Sequence, residues 1–289
     1  MKEQPAARHA RVVTKGLGAI TWKFVATFRW QYIPLLLSDY AREIMRRKYD
    51  AIATDRAYEN RPSGLLGPIG RTVDRAVLNF PTHAALRERL EFVVRDLKAE
   101  VLRVQPGRAP VRVLSAPCGL ARDVVTAVEQ IKRERPEIGR QIELFGLDLD
   151  STGEVLPLAH ELADRAGVAL KLARADLFNR EQVSAAVGSV DRFHVINCIG
   201  LTPWLRLSEV EQLARLFHDD LLVPGGALLI DNFAWHKHSG IAKDLEIHST
   251  YHPPEAFISV LHSAGFSRIR ERTTSNNVNT VYVLESRTS

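Results

Sequence analysis

A chain of 289 residues with 45% hydrophobic and 25% charged residues can bury a large core and has ordinary globular composition, which excludes a disordered or fibrous protein. Its 39 basic and 34 acidic residues leave a formal charge of +5, too diffuse to imply nucleic acid by itself. The two cysteines, Cys118 and Cys198, form no C-x-x-C pair and no His stands at metal spacing, so neither a disulfide framework nor a metal site is expected.

The N-terminus, MKEQPAARHARVVTKGLGAI, is basic and shows no apolar stretch followed by a small-residue cleavage site, so a reducing cytoplasm is the expected compartment. Residues 16–37 are apolar and aromatic (Trp22, Phe24, Phe28, Trp30, Tyr32), but Lys23, Arg29 and Pro34 interrupt them. A spanning helix needs ~20 nearly uncharged residues, so a transmembrane pass is disfavoured. A lid over the rest of the chain is the favoured role, and peripheral membrane contact through 16–37 stays open beside it. The Gly/Pro-rich run 62–70 predicts a loop. In THAALRERLEFVVRDLKAEVLRV, Leu86, Leu90, Val93 or Val94, Leu97 and Val101 recur at helical spacing, and Arg87 and Arg89 are expected on the solvated face, with contact of one of them to a ligand's carboxylate as the alternative. QPGRAP ends this helix. Residues 1–105 thus form a helical N-terminal lid and substrate region.

From Val111 the rhythm changes. VRVLSA, IELFGLD, ALKLARAD, FHVINCIG, GALLIDNF, SRIRERTT and TVYVLES are strand candidates, and segments with helical periodicity separate the first five. This alternation predicts an α/β unit over 106–289: a doubly wound, mostly parallel, seven-stranded sheet. RTTSNNVN suits a hairpin, so the last strand should run antiparallel.

Five features fall in order on this pattern. VLSAPCGLARD is a strand entering a tight turn and a helix, the usual place for a ligand in such sheets. Small residues there admit a close backbone approach, and exposed amides at the helix start can meet a carboxylate. Asp148 ends the second strand, placed to accept from a ribose diol, and Asp176 ends the third, placed to accept from an adenine amine, with Leu177 and Phe178 beside it. FHVINCIGLTPWL exposes Asn197 at its tip, and LLVPGGALLIDNF leads a strand out of a Pro-Gly-Gly turn.

This ordered set resembles the motif series of class I methyltransferases that depend on S-adenosylmethionine (SAM), over roughly residues 111–284. GLDLD and LLVPGGALLI match most closely, and PPEAFISVLHSAGFSRIRE is similar to the helix and strand that end these domains. The resemblance implies SAM as cofactor. It places Ala116, Cys118, Gly119 and Arg122 at the amino-acid end, Asp148 and Leu149 on the ribose, Asp176 and Leu177 on the adenine, and Asn197 under the sulfonium. The chain departs from the family in Ser115, Pro117 and Ala121, which stand where an acid and glycines are usual. The Gly119-to-Asp148 interval is 29 positions, against about 20 in comparable folds. A-P-C-G-x-A-R-D and the helical N-terminal region resemble a little-characterised branch of bacterial small-molecule and lipid methyltransferases.

The expected reaction is methyl transfer to a small hydrophobic or amphipathic molecule, with O- or carboxyl-methylation favoured. Tyr58, Trp204 and Trp235 are the candidate acceptor-pocket residues. In the His-rich stretch 231–255, His236 and His238 are candidate general bases, with His248 and His252 nearby; a polar surface loop is the alternative. Cys118 and Cys198 are expected as small buried fillers. A nucleic-acid methyltransferase would carry D/N-P-P-Y/F where this chain has Asn197-Cys198-Ile199-Gly200, and a nicotinamide reductase would carry G-x-G-x-x-G, which is absent. A protein methyltransferase or a non-catalytic binding protein with a degenerate SAM site completes the alternatives.

Overall fold

The runs VRVLS, ELFGL and HVINC are apolar at nearly successive positions, so both faces of any sheet they build must be covered. In the computed structural model, which describes residues 37–63, 67–104, 110–188, 190, 192–235, 239, 247 and 249–286, they form β1 (Val111–Ser115), β2 (Ile142–Asp148) and β4 (Phe193–Cys198). With β3 (Leu170–Arg174), β5 (Leu222–Phe233), β6 (Phe266–Thr273) and β7 (Asn279–Ser286) they make one seven-stranded sheet, ordered β3-β2-β1-β4-β5-β7-β6. The first five strands are parallel, and β7 pairs antiparallel with both β5 and β6. The expected antiparallel last strand is present, wedged between β5 and β6.

Alternation along each strand sorts side chains to two cores. Leu114, Phe145, Ile196, Leu228 and Ile230 pack on one face. They meet α8 (Arg180–Val187), α9 (Leu207–Arg215) and α10 (Pro254–Ser263) through Val183, Leu213 and Phe257. Val113, Leu144, Val195 and Leu229 pack on the other face. There they meet α4 (Pro81–Arg103), α5 (Arg122–Glu134) and α7 (Val155–Arg165) through Val93, Leu97, Val124, Val128 and Ala159.

Strand order reverses between β1 and β4, and at such a point the carboxyl ends of the strands open a crevice. Helices α1 (Asp39–Arg47) and α2 (Ala51–Glu59), with the first turns of α4, line it from above, and α3 (Gly67–Leu78) packs against them. They share a separate small core of Tyr40, Ile44, Ala57, Val77, Leu78 and Leu86. Ser38 caps α1 by accepting from the Ala41 amide, and Asp50 caps α2 by accepting from Ala53. The fully buried Asp74 carboxylate ties this region together, accepting from the Ser38 hydroxyl, the Tyr40 amide and both the amide and hydroxyl of Ser63. Burial opposes its charge, but these donors outweigh it and hold the carboxyl below the usual aspartate range.

α4 is the shared beam. Leu86 faces the upper core while Val93, Leu97 and Val101 face the sheet. Buried acids on the same helix, Asp96 and Glu100, pair with Arg272 and Arg270 of β6. The long Gly119-to-Asp148 interval is taken up by α6 (Pro136–Gly139), an extra turn at the amino end of the sheet. There the Val111 amide bonds the Gln141 carbonyl, away from the crevice.

Candidate active site

The crevice and the helices above it enclose a cavity of ≈ 670 Å³, within the size range of small-molecule sites. Its floor comes from the strand ends. β1 turns through Ala116 and Pro117, whose peptide is cis, into Cys118, Gly119, Leu120 and Ala121 before α5 begins. Gly119 (φ 48°) and Ala121 (φ 56°) are both left-handed, so the turn keeps at Ala121 a glycine-like conformation despite its side chain. A Cβ on Gly119 would come within 3.2 Å of the Ala51 Cβ, so glycine is what lets α2 rest on this turn.

Asp148 fixes the turn from β2: one carboxylate oxygen accepts from the Gly119 amide and the other from the Asp150 amide, each at 2.9 Å. Both oxygens keep further acceptor capacity toward the cavity. Asp150 caps the following helix, accepting from the Val155 and Leu156 amides. Asp176 accepts from the Phe178 amide, and Leu149, Leu177 and Phe178 add apolar wall. Cys118, Gly119, Arg122, Asp148, Leu149, Asp176, Leu177, Tyr58 and Trp204 are thus brought to one cavity.

Other candidates are placed elsewhere. Ala116 is fully buried in the sheet core and lines no cavity wall. Asn197 is 1% exposed and turned inward, donating to the Asp123 carboxylate (2.8 Å) and the Ser115 hydroxyl (3.4 Å), so it is not the residue at the β4 tip. Ile199 and Gly200 line the cavity there instead. Position along the strand explains this: Asn197 is still paired in register with Ser115 and Leu229, inside the sheet, whereas Ile199 and Gly200 follow the last residue of β4, Cys198. Trp235 is 71% exposed and stands outside the cavity lining, because it lies beyond the end of β5. His236, His238 and His248 lie outside the described residues. His252 packs its ring on Phe257 in the core, and burial lowers its pKa.

Three arrangements had no place in the sequence expectations. Asp123 in the first turn of α5 lines the cavity, eight positions after Ser115; burial pushes it, like Asp148, above the ordinary aspartate range. Arg122 lines the cavity too, but its guanidinium is clamped bidentately on Asp55 of α2, with Glu59 at 3.4 Å. Arg89, expected on a solvated face, is 2% exposed. It donates to Asp231 of β5 (2.8 Å) and to the Tyr58 hydroxyl, and its Nε–H has no partner among the described residues. Burial works against its charge, and Tyr58 and Asp231 outweigh it, so the guanidinium stays protonated. The missed signal was in the pattern: Arg89 falls three after Leu86 and four before Val93, on the apolar stripe itself. Arg87 turns back onto the Leu78 and Ala57 carbonyls.

The remaining cavity wall is aromatic and apolar: Tyr49, Phe80, His83, Leu86, Trp204, Phe233 and Tyr251. Among the described residues no group of His, Cys, Asp and Glu is arranged to hold a metal ion.

This geometry has relatives. A possible exported protein from Bordetella parapertussis is similar at 20% identity, over 88% of this chain and 85% of that one, with a TM-score of 0.68. Magnesium protoporphyrin IX methyltransferase from Synechocystis PCC 6803, solved with bound S-adenosylhomocysteine (SAH), is similar at 11% identity, over 85% and 99% of the two chains, with a TM-score of 0.54. DszA carbon methyltransferase is similar at 16%, over 85% and 69%, with a TM-score of 0.55. These likenesses show the fold. No curated protein matches the sequence. The model of the family described as "Putative methyltransferase" matches residues 19–253, most of the chain. The chain therefore belongs to that family and is a methyltransferase of the SAM-dependent class.

Proposed function

We propose that this methyltransferase acts on an oxygen, hydroxyl or carboxyl, of a small hydrophobic or amphipathic acceptor. The observation that carries the proposal is one cavity with two unlike walls: carboxylate-bearing strand ends on one side and an aromatic, apolar wall on the other. The residues present fit SAM. Asp148 has free acceptor capacity for a ribose diol, Leu149, Leu177 and Phe178 flank a place for adenine with Asp176 at its edge, and Asp123 offers a buried carboxylate to an ammonium. Bound there, SAM supplies an electrophilic methyl group on a sulfonium.

The protein's own task is then to align an acceptor and exclude water, and such positioning supplies ~7–11 kcal/mol of barrier reduction. α1–α4 would do this as the lid and substrate region within 1–105, with Tyr58 and Trp204 against the acceptor. We place the protein in the cytoplasm, with contact to a membrane surface through 16–37, of which 16–36 lie outside the described residues, and assign it no nucleic-acid partner. Among the described residues no helix is long and apolar enough to cross a membrane.

The test is transfer from methyl-labelled SAM to a panel of lipophilic acids, phenols and amines and to polar analogues. Labelling of lipophilic oxygen acceptors is expected. Labelling of polar members alone overturns the acceptor assignment, and failure to take up SAM in calorimetry overturns the donor assignment.

A further inference from the structure

α1 ends on two consecutive left-handed residues, Lys48 (φ 53°) and Tyr49 (φ 59°), a conformation that residues with side chains rarely adopt. This strained turn brings the Tyr49 ring to the cavity wall. There the Tyr49 hydroxyl lies 2.7 Å from Nε2 of His83, in the first turn of α4. The other ring nitrogen of His83, Nδ1, lies 2.7 Å from the Val77 carbonyl oxygen. A carbonyl only accepts, so Nδ1 carries the hydrogen of the neutral ring and Nε2 presents a lone pair. The Tyr49 hydroxyl therefore donates to Nε2. With its single proton committed there, the phenolic oxygen offers the cavity only lone pairs.

The ring that receives this proton is held firmly. Phe80 stacks on His83 (centroids 6.3 Å apart, 7° between planes) and Tyr40 meets it edge-on at 5.0 Å. His83 is 2% exposed, and burial draws its pKa down to about 4, with the Val77 carbonyl opposing and Arg87 assisting. At neutral pH the imidazole is uncharged, with its Nε2 lone pair held against the Tyr49 hydroxyl.

We propose that Tyr49 and His83 form a proton relay that selects a hydroxyl-bearing acceptor. The inference rests on the methyl-transfer function of this cavity and narrows it, because an ionised carboxylate has no proton to hand over. In the step, the acceptor oxygen forms a bond to the methyl carbon as the carbon–sulfur bond of SAM breaks and its electron pair stays on sulfur. The acceptor's proton moves to the Tyr49 oxygen, and the Tyr49 proton moves to His83 Nε2. One positive charge disappears from sulfur as one appears on imidazole, so the cavity gains no net charge. The imidazolium, disfavoured by its apolar surroundings, then releases its proton to water. Tyr49 is the catalytic residue, touching the acceptor; His83 is the positioning residue and acts through it.

The test uses 2-naphthol and 2-naphthoic acid as acceptors with methyl-labelled SAM, after calorimetry of SAM uptake by each variant. The wild-type enzyme is expected to methylate 2-naphthol. Tyr49→Phe and His83→Gln are each expected to lower kcat on it by about 10²-fold or more, with KM and SAM uptake changed by less than about threefold. Transfer to 2-naphthoate should fall by less than about threefold. Nitrogen NMR of the ligand-free protein should show the hydrogen of His83 on Nδ1. Equal losses on both acceptors, no loss on 2-naphthol, a wild-type enzyme that leaves 2-naphthol unmethylated, or a hydrogen on Nε2 overturns the relay. Absence of SAM uptake by the wild type would instead strike the methyl-donor assignment, and the tautomer measurement would still decide the pairing of the two side chains.

Discussion

On the floor of the cavity, Gly119, Asp148, Asp176 and Gly200 stand at strand ends, where chain direction alone delivers them. On the roof, Tyr49, Asp55, Tyr58, His83 and Arg89 are held by side-chain partners, one of them 142 positions away. The floor is a product of topology and the roof a product of specific pairing. A roof built this way should respond to loss of single partners with loss of structure, whereas the floor should respond with loss of affinity.

The largest expected effect tests the roof. Arg89→Met leaves the fully buried Asp231 without its cation, and breaking such a pair costs about 3–5 kcal/mol. Urea unfolding should show that loss. A loss below about 1 kcal/mol would mean that Asp231 is satisfied by the Gly200 amide and Asn279 alone.

Acid sharpens the same contrast. His83 has its pKa lowered in the folded state from 6.5 to about 4. Its neutral burial therefore contributes stability that is complete above pH 6.5 and is lost as pH falls toward 4, by about 3 kcal/mol. The wild-type unfolding free energy should fall across that window, and His83→Gln should flatten the fall.

On the floor, Asp148→Ala is expected to raise the SAH dissociation constant by about 10²-fold, from the loss of charged hydrogen bonds, with a smaller fall in urea midpoint than Arg89→Met, from the Gly119 and Asp150 amides left without their acceptor. A large stability loss without an affinity loss would erase the distinction between the two walls. The smallest effect is expected at Trp235→Ala, which should alter stability by less than about 0.5 kcal/mol and leave acceptor KM unchanged, since the side chain is exposed outside the cavity.

The same contrast decides what was legible from residues alone. Apolar runs and their alternation with helical segments carried the sheet and its antiparallel last strand. Asp148 and Asp176 were readable because strand ends in such a sheet converge. Asn197 was misplaced by a small slip in that logic: it lies one residue inside the end of β4, where it is buried behind Asp123, and Ile199 and Gly200 beyond that end reach the cavity. Arg89 was misread because charge was taken as a sign of solvent, although its spacing from Leu86 and Val93 put it on the buried face. The Tyr49–His83 pair left no periodic trace, because its partners meet through a helix break and a carbonyl whose positions only the folded chain defines.

Ala51 resting on Gly119, and Asp55 gripping Arg122, join roof and floor at one corner. Occupancy of that corner and the posture of α2 are thereby one thermodynamic variable. Whatever tightens the turn steadies the helix above it, and by reciprocity whatever steadies the helix would raise the affinity of a nucleoside bound on the turn as proposed. Two ligands that never touch this corner together would still sense each other through it.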